Sequence, residues 1–137
     1  MTWQADPVTG INVVDEWYFA VSPAVAAARL GRLSFARALW PDLALSISEY
    51  RGLEGIRLLV HAPWKGTAEI WLEACGDGVI VHTYLRVTPP RPEWATPRRL
   101  RREAQRRSRY ARRVLWCTRD ILERDRRPGE PAVAGPA

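Results

Sequence analysis

Three polar positions carry residue types and neighbours that could do chemistry. Asp15 interrupts the alternating apolar positions Ile11, Val13, Trp17, Phe19 and Val21. A carboxyl desolvated on such a face titrates high and can act as an acid or base, while a hydrated or Arg-paired carboxylate is the plainer reading. Arg57 and His61 share one face of an extended segment, where an inward Arg57 could hold an enolate or carboxylate oxygen. The plainer reading turns both to solvent. His82 falls in a patch with Glu69, Trp71, Glu73 and Tyr84, so it could be a base oriented by a carboxylate. The alternative is an outer sheet face with ordinary cross-strand pairs.

Aromatic and basic residues form a second group. Seven tryptophans are present, and Trp17, Trp40, Trp64 and Trp71 could stack on a flat ligand or fill the core. Residues 91–127 carry fourteen Arg against five acids, whereas the rest of the chain carries seven basic groups against ten acids. Trp116 sits among Arg109, Arg112 and Arg113, a mixture suited to nucleic acid or an acidic protein, or to a solvated face. Lys65 is the only lysine, so arginine use follows a coding bias as much as a demand for guanidinium geometry.

Other classes are excluded on composition. Cys75 and Cys117 lack metal-ligand spacing, and His61 and His82 are isolated, so neither a metal nor an organic cofactor is expected. No apolar run reaches the roughly 20 residues of a membrane span. The first residues lack the basic and apolar regions of a secretory signal, which gives a cytoplasmic expectation.

The elements that must position these residues follow from periodicity. A strand over Ile11–Val21 leads to Ser22-Pro23, a helix cap and first turn, with a short helix to Leu30 and Gly31 as its stop. A second short helix spans Arg32–Leu39. Strands follow over Leu43–Arg51, Ile56–Ala62, Thr67–Glu73 and Val79–Val87. A two-residue Gly76-Asp77 turn sets Glu73 opposite Ile80, Trp71 opposite His82 and Glu69 opposite Tyr84. Thr96-Pro97 opens a long helix to Arg127, with Leu100, Ala104, Ala111, Leu115, Thr118 and Leu122 on one face. Arg107 lies within that apolar stripe, where its stem can pack while its head reaches a ligand or water. Residues 11–127 form one domain, with 1–10 a flexible leader and 128–137 a disordered tail.

This order resembles the helix-grip fold of the START-like superfamily, an α+β architecture with a curved antiparallel sheet gripping a C-terminal helix. The resemblance rests on Val21-Ser22-Pro23-Ala24-Val25, on Trp40-Pro41-Asp42-Leu43, and on Gly66–Glu73 followed by Asp77–His82. Leu122-Glu123-Arg124 and Pro128-Gly129 extend it, and the likeness is to actinobacterial polyketide cyclase/dehydrase and lipid-transport proteins. Such a family implies a hydrophobic or aromatic ligand between sheet and helix. Trp17, Phe19, Trp40, Leu72, Val81, Leu85, Arg107, Ala111 and Leu115 would line the cavity, and Asp15, Arg57 and His82 would be the catalytic candidates. Five strands are expected, fewer than usual for such proteins. Nucleic acid, an acidic protein and a second copy of the chain are the alternative partners.

Overall fold

Alternation of apolar and polar residues builds most of the molecule. The structure, a computed structural model, describes residues 2–5 and 10–135. Strands β1 (Thr2–Ala5), β2 (Ile11–Phe19), β3 (Ala44–Tyr50), β4 (Gly55–Ala62), β5 (Lys65–Cys75) and β6 (Gly78–Thr88) make one antiparallel sheet in the order β1-β2-β6-β5-β4-β3. Helices α1 (Pro23–Leu30) and α2 (Leu33–Leu39) follow β2, and α3 (Pro97–Leu122) closes the chain's regular structure. This is the helix-grip arrangement.

All five expected strands form, and the β5–β6 register is the expected one: Glu73 pairs Ile80, Trp71 pairs His82 and Glu69 pairs Tyr84. Gly76 takes φ 59°, the left-handed turn geometry that a side chain would resist. The odd-numbered residues of β2 and β6 face inward, and Ile11, Phe19, Val81 and Leu85 join one hydrophobic cluster with Ile56, Leu58 and Ile70. Helix α3 enters that cluster with Leu100, Ala104, Ala111 and Leu115, its small residues allowing close approach to the sheet.

The side-chain caps expected of α1 and α3 both form. Ser22 Oγ accepts from Val25 N at 3.2 Å, and Gly31 ends α1. Thr96 Oγ1 accepts from Arg99 N at 3.3 Å at the start of α3.

Three boundaries differ from expectation. Thr2–Ala5, read as leader, pairs antiparallel with Ile11–Val14 and adds a sixth strand, while the remaining leader residues 6–9 lie outside those described. Helix α3 ends at Leu122 rather than Arg127, because Glu123 caps it and its Oε2 accepts from Ala20 N at 3.0 Å. The segment read as a disordered tail docks instead. Val133 N donates to Ala20 O at 2.8 Å, Ser22 N donates to Val133 O at 2.7 Å, and Ala132 N donates to Asp77 Oδ2 at 2.8 Å. Residues 136–137 of that tail lie outside the described residues.

Candidate functional site

The residues expected to line a cavity meet in the core. Phe19, Trp40, Leu72, Val81, Leu85, Ala111 and Leu115 are all buried in the same cluster. Leu72 also borders a recess at the sheet's end, and Trp17 borders another at the sheet–helix seam. Arg107 is 3% exposed, yet its head does not escape to water. Its two terminal nitrogens donate to Asp42 Oδ1 and Oδ2 at 3.0 and 2.7 Å, and Glu103 Oε2 lies 2.7 Å from its Nε. The pair is planar and bidentate, the geometry in which a guanidinium matches a carboxylate best. Burial alone would raise the Asp42 carboxyl, but the Arg107 hydrogen bonds and charge outweigh it and hold the group below its ordinary range. Arg107 therefore ties α3 to the Trp40–Asp42 turn, where it also borders a small hollow with Asp42, Arg106 and Tyr110.

A hollow of about 720 Å³ opens beside the free end of β5. Strand β4 begins at Gly55, opposite Trp71, so Leu72–Cys75 have no strand partner on that side among the described residues. Gly55, at φ 103°, is required there: a Cβ would run into the carbonyl oxygen of Ile70. Leu53 of the 3-10 turn Gly52–Glu54, Pro23 of α1, and Trp71, Glu69, Glu73 and Tyr84 of the outward sheet face line the cleft. This volume lies within the range of small-molecule sites.

Two of the three catalytic candidates converge near this cleft. Arg57 lines it and donates to Glu49 at 3.3 Å and to Glu69 at 3.3 Å. Arg51 donates to the same Glu69 at 3.0 Å and to Glu54 at 3.2 Å. His61 is separate, bonded to Ser46 at 2.6 Å. His82 is behind the lining, its Nε2 3.0 Å from Glu73 Oε1 and its Nδ1 3.5 Å from Glu16 Oε1. Its ring stacks on Trp71 at 4.3 Å and parallels Tyr84 at 6.1 Å. Partial burial raises the Tyr84 phenol above its usual range, and the negative charges of Glu16, Glu69 and Glu73 push the same way.

Asp15 lies on the opposite face. It is buried at 1% exposure, paired across the strands with Thr83, and neither carboxyl oxygen has a hydrogen-bond partner among the described residues. Desolvation raises its pKa to about 6, against the opposing charge of Arg112. Two residues on, Trp17 meets the arginine-bearing helix. A groove of about 400 Å³ runs between Trp17 and Arg109, Arg112, Arg113, Trp116 and Cys117. Trp17 and Trp116 meet edge to face, 6.0 Å between ring centres. Thus Trp17 and the arginine patch, read from sequence as parts of two separate functions, share one groove. The signal missed was their distance in the chain, since nothing local links residue 17 to residue 116.

No described helix is long and apolar enough to cross a membrane, and no cluster of three metal-ligating side chains occurs among the described residues.

No protein-family model matches the chain, and no curated protein matches it. Solved structures do. The crystal structure of DR_A0006 from Deinococcus radiodurans matches with TM-score 0.59 at 13% identity, covering 82% of this chain and 97% of that one. The Aha1 dimer from Colwellia psychrerythraea matches with TM-score 0.57 at 14% identity, over 85% of this chain and 98% of that one. EF2215 from Enterococcus faecalis, a conserved protein of unknown function, matches with TM-score 0.50 at 13% identity, over 96% and 80%. At these identities the likeness is one of fold.

Proposed function

We propose that the protein is a helix-grip binding module for a small molecule with an aromatic or apolar body, taken up in the cleft at the free end of β5. The observation that carries this reading is the cleft's lining. Leu53, Pro23, Val79, Trp71 and Tyr84 offer apolar and aromatic surface, and Arg51, Arg57 and Glu69 sit beside it as oriented polar groups. The resemblance to polyketide cyclases supports a ring-containing, polyketide-like ligand. Binding rather than turnover is the reading, because the charged lining groups Arg51, Arg57, Glu54 and Glu69 are held in ion pairs with one another. Asp15, the carboxyl titrating at about 6, sits on the other face of the sheet.

The test is a titration of isotope-labelled protein with polycyclic phenols and fatty acids, followed by amide NMR. The phenols are expected to move the signals of Leu53, Glu54 and Trp71. Leu53→Glu, at a residue 58% exposed, should weaken binding about tenfold without changing the melting temperature. Shifts centred on Phe19, Leu85 and Leu115, or no binding by any member of the panel, would refute the cleft.

A further inference from the structure

The groove at the sheet–helix seam is built differently from the cleft, and its charge is not neutralised. Arg51 and Arg57 are each held by carboxylates, Arg106 by Glu103, and Arg107 by Asp42 and Glu103. Arg126 is tied to the carbonyls of Glu130 and Pro131. Arg109, Arg112 and Arg113 make no hydrogen bond or close ion pair with another described residue, Arg112 acting only through its charge on Asp15, and all three line the groove. Three guanidiniums left open in one recess are an anion site in waiting, with planar forks suited to two-oxygen groups.

The aromatic wall is equally fixed. Trp116 is 54% exposed, but its Nε1 donates to Asp120 Oδ2 at 3.0 Å, so the ring is held rather than free to turn. Arg119 lies over both indoles, 4.6 Å from the ring centre of Trp17 and 5.7 Å from that of Trp116. On the same two elements, Asp15 of β2 and Ser108 of α3 are both buried, and their side-chain oxygens have no hydrogen-bond partner among the described residues.

We propose that this groove binds a planar aromatic acid, a ring bearing a carboxylate, phenolate or phosphate, with the ring against Trp116 and Trp17 and the anion on Arg109, Arg112 and Arg113. A volume of about 400 Å³ takes one or two fused rings. A polyanion such as single-stranded nucleic acid would draw on the same chemistry but needs a longer track. The site faces away from the β5 cleft and stands independently of the function proposed for it.

Naphthoate, its neutral amide, inorganic phosphate and a short oligothymidylate are the probes, each titrated into the full chain by calorimetry. Naphthoate is expected to bind about tenfold or more tightly than the amide or phosphate. Arg112→Gln and Arg113→Gln should each remove about tenfold of that affinity, while Tyr50→Ser, at an exposed residue that lines neither the groove nor the cleft, should leave it unchanged. Trp116→Ala should abolish the advantage of naphthoate over phosphate, and because the side chain is exposed the fold should survive, as circular dichroism would confirm. Equal binding of amide and acid would reduce the groove to an apolar patch and overturn the proposal. Equal binding of phosphate and naphthoate would overturn the aromatic half of it. Tighter binding of oligothymidylate, with affinity falling steeply in salt, would replace it with a nucleic-acid surface.

Discussion

Arginines on the sheet and arginines on α3 face opposite circumstances, although both groups are surface guanidiniums in one small domain. On the sheet, Arg57 pairs in register with Glu49 on one neighbouring strand and with Glu69 on the other, so antiparallel geometry delivers partners to it automatically. On α3, neutralisation from within the helix requires an acid three or four residues away. The helix contains only Glu103 and Asp120 as acids, and Glu103 is already shared by Arg106 and Arg107. Asp120 is engaged by the Trp116 indole. Partnering therefore depends on the element as much as on composition. The sheet spends its arginines on structure, and the helix leaves three of them open to a ligand.

The sharpest test of that contrast is Arg107, the helix arginine held by a carboxylate from another element. Asp42→Asn would leave Glu103 as the only carboxylate on the buried Arg107 head, and because Asp42 is itself 45% exposed, solvent screening discounts the cost of breaking the pair to about 2 kcal/mol. Urea unfolding should show the loss, and a change below about 1 kcal/mol would mean that Glu103 alone suffices. The pH dependence has a definite sign. The Asp42 carboxyl is held below its ordinary value of 3.8, so its stabilisation is present above that pH and is lost as pH falls through its folded value.

Asp15 has the reverse sign. Its pKa is raised from 3.8 to about 6, so the stability it contributes is complete below 3.8 and is lost as pH rises through about 6. The interval corresponds to on the order of 3 kcal/mol. Stability measured by denaturation should therefore fall between those values in the wild type, and Asp15→Asn should flatten the fall. A slope that persists in Asp15→Asn would place the titration elsewhere and remove the reason to regard the seam as electrostatically poised.

Much of the sheet half of this comparison was legible in the sequence. Alternation placed the strands, and the Gly76-Asp77 turn fixed which residues face each other across β5 and β6, because a two-residue turn leaves no freedom in register. The same logic failed for Arg57: the Pro63–Gly66 turn, which contains a cis Ala62–Pro63 peptide, could not be read for direction. The sequence also could not show that Arg107 meets Asp42, since the contact spans 65 residues and depends on how α2 seats against α3. Thr2–Ala5 escaped notice because four residues are too few for a period to emerge, and Val133 docks through backbone bonds that carry no side-chain signature. Amphipathicity told which face of α3 is buried. It could not tell which exposed arginines would find acids, a question of tertiary placement.

The smallest effect discriminates best between the two groups. Arg57 is about half exposed and shares its carboxylates with Arg51, so Arg57→Gln should cost about 0.5 to 1 kcal/mol in low salt and less in high salt. Arg113→Gln removes a charge that has no partner and lies among like charges at Arg109 and Arg112. Self-repulsion is relieved, so stability should rise by a few tenths of a kcal/mol, and salt should erase the gain because screening already supplies it. The two substitutions are chemically identical, which leaves only the surroundings to give them opposite signs. If both destabilise to the same degree, the seam arginines have structural partners of their own, and an open anion site on α3 loses its physical basis. If they diverge as expected, the helix carries charge that folding does not use, and the seam is where a ligand would supply the missing anion.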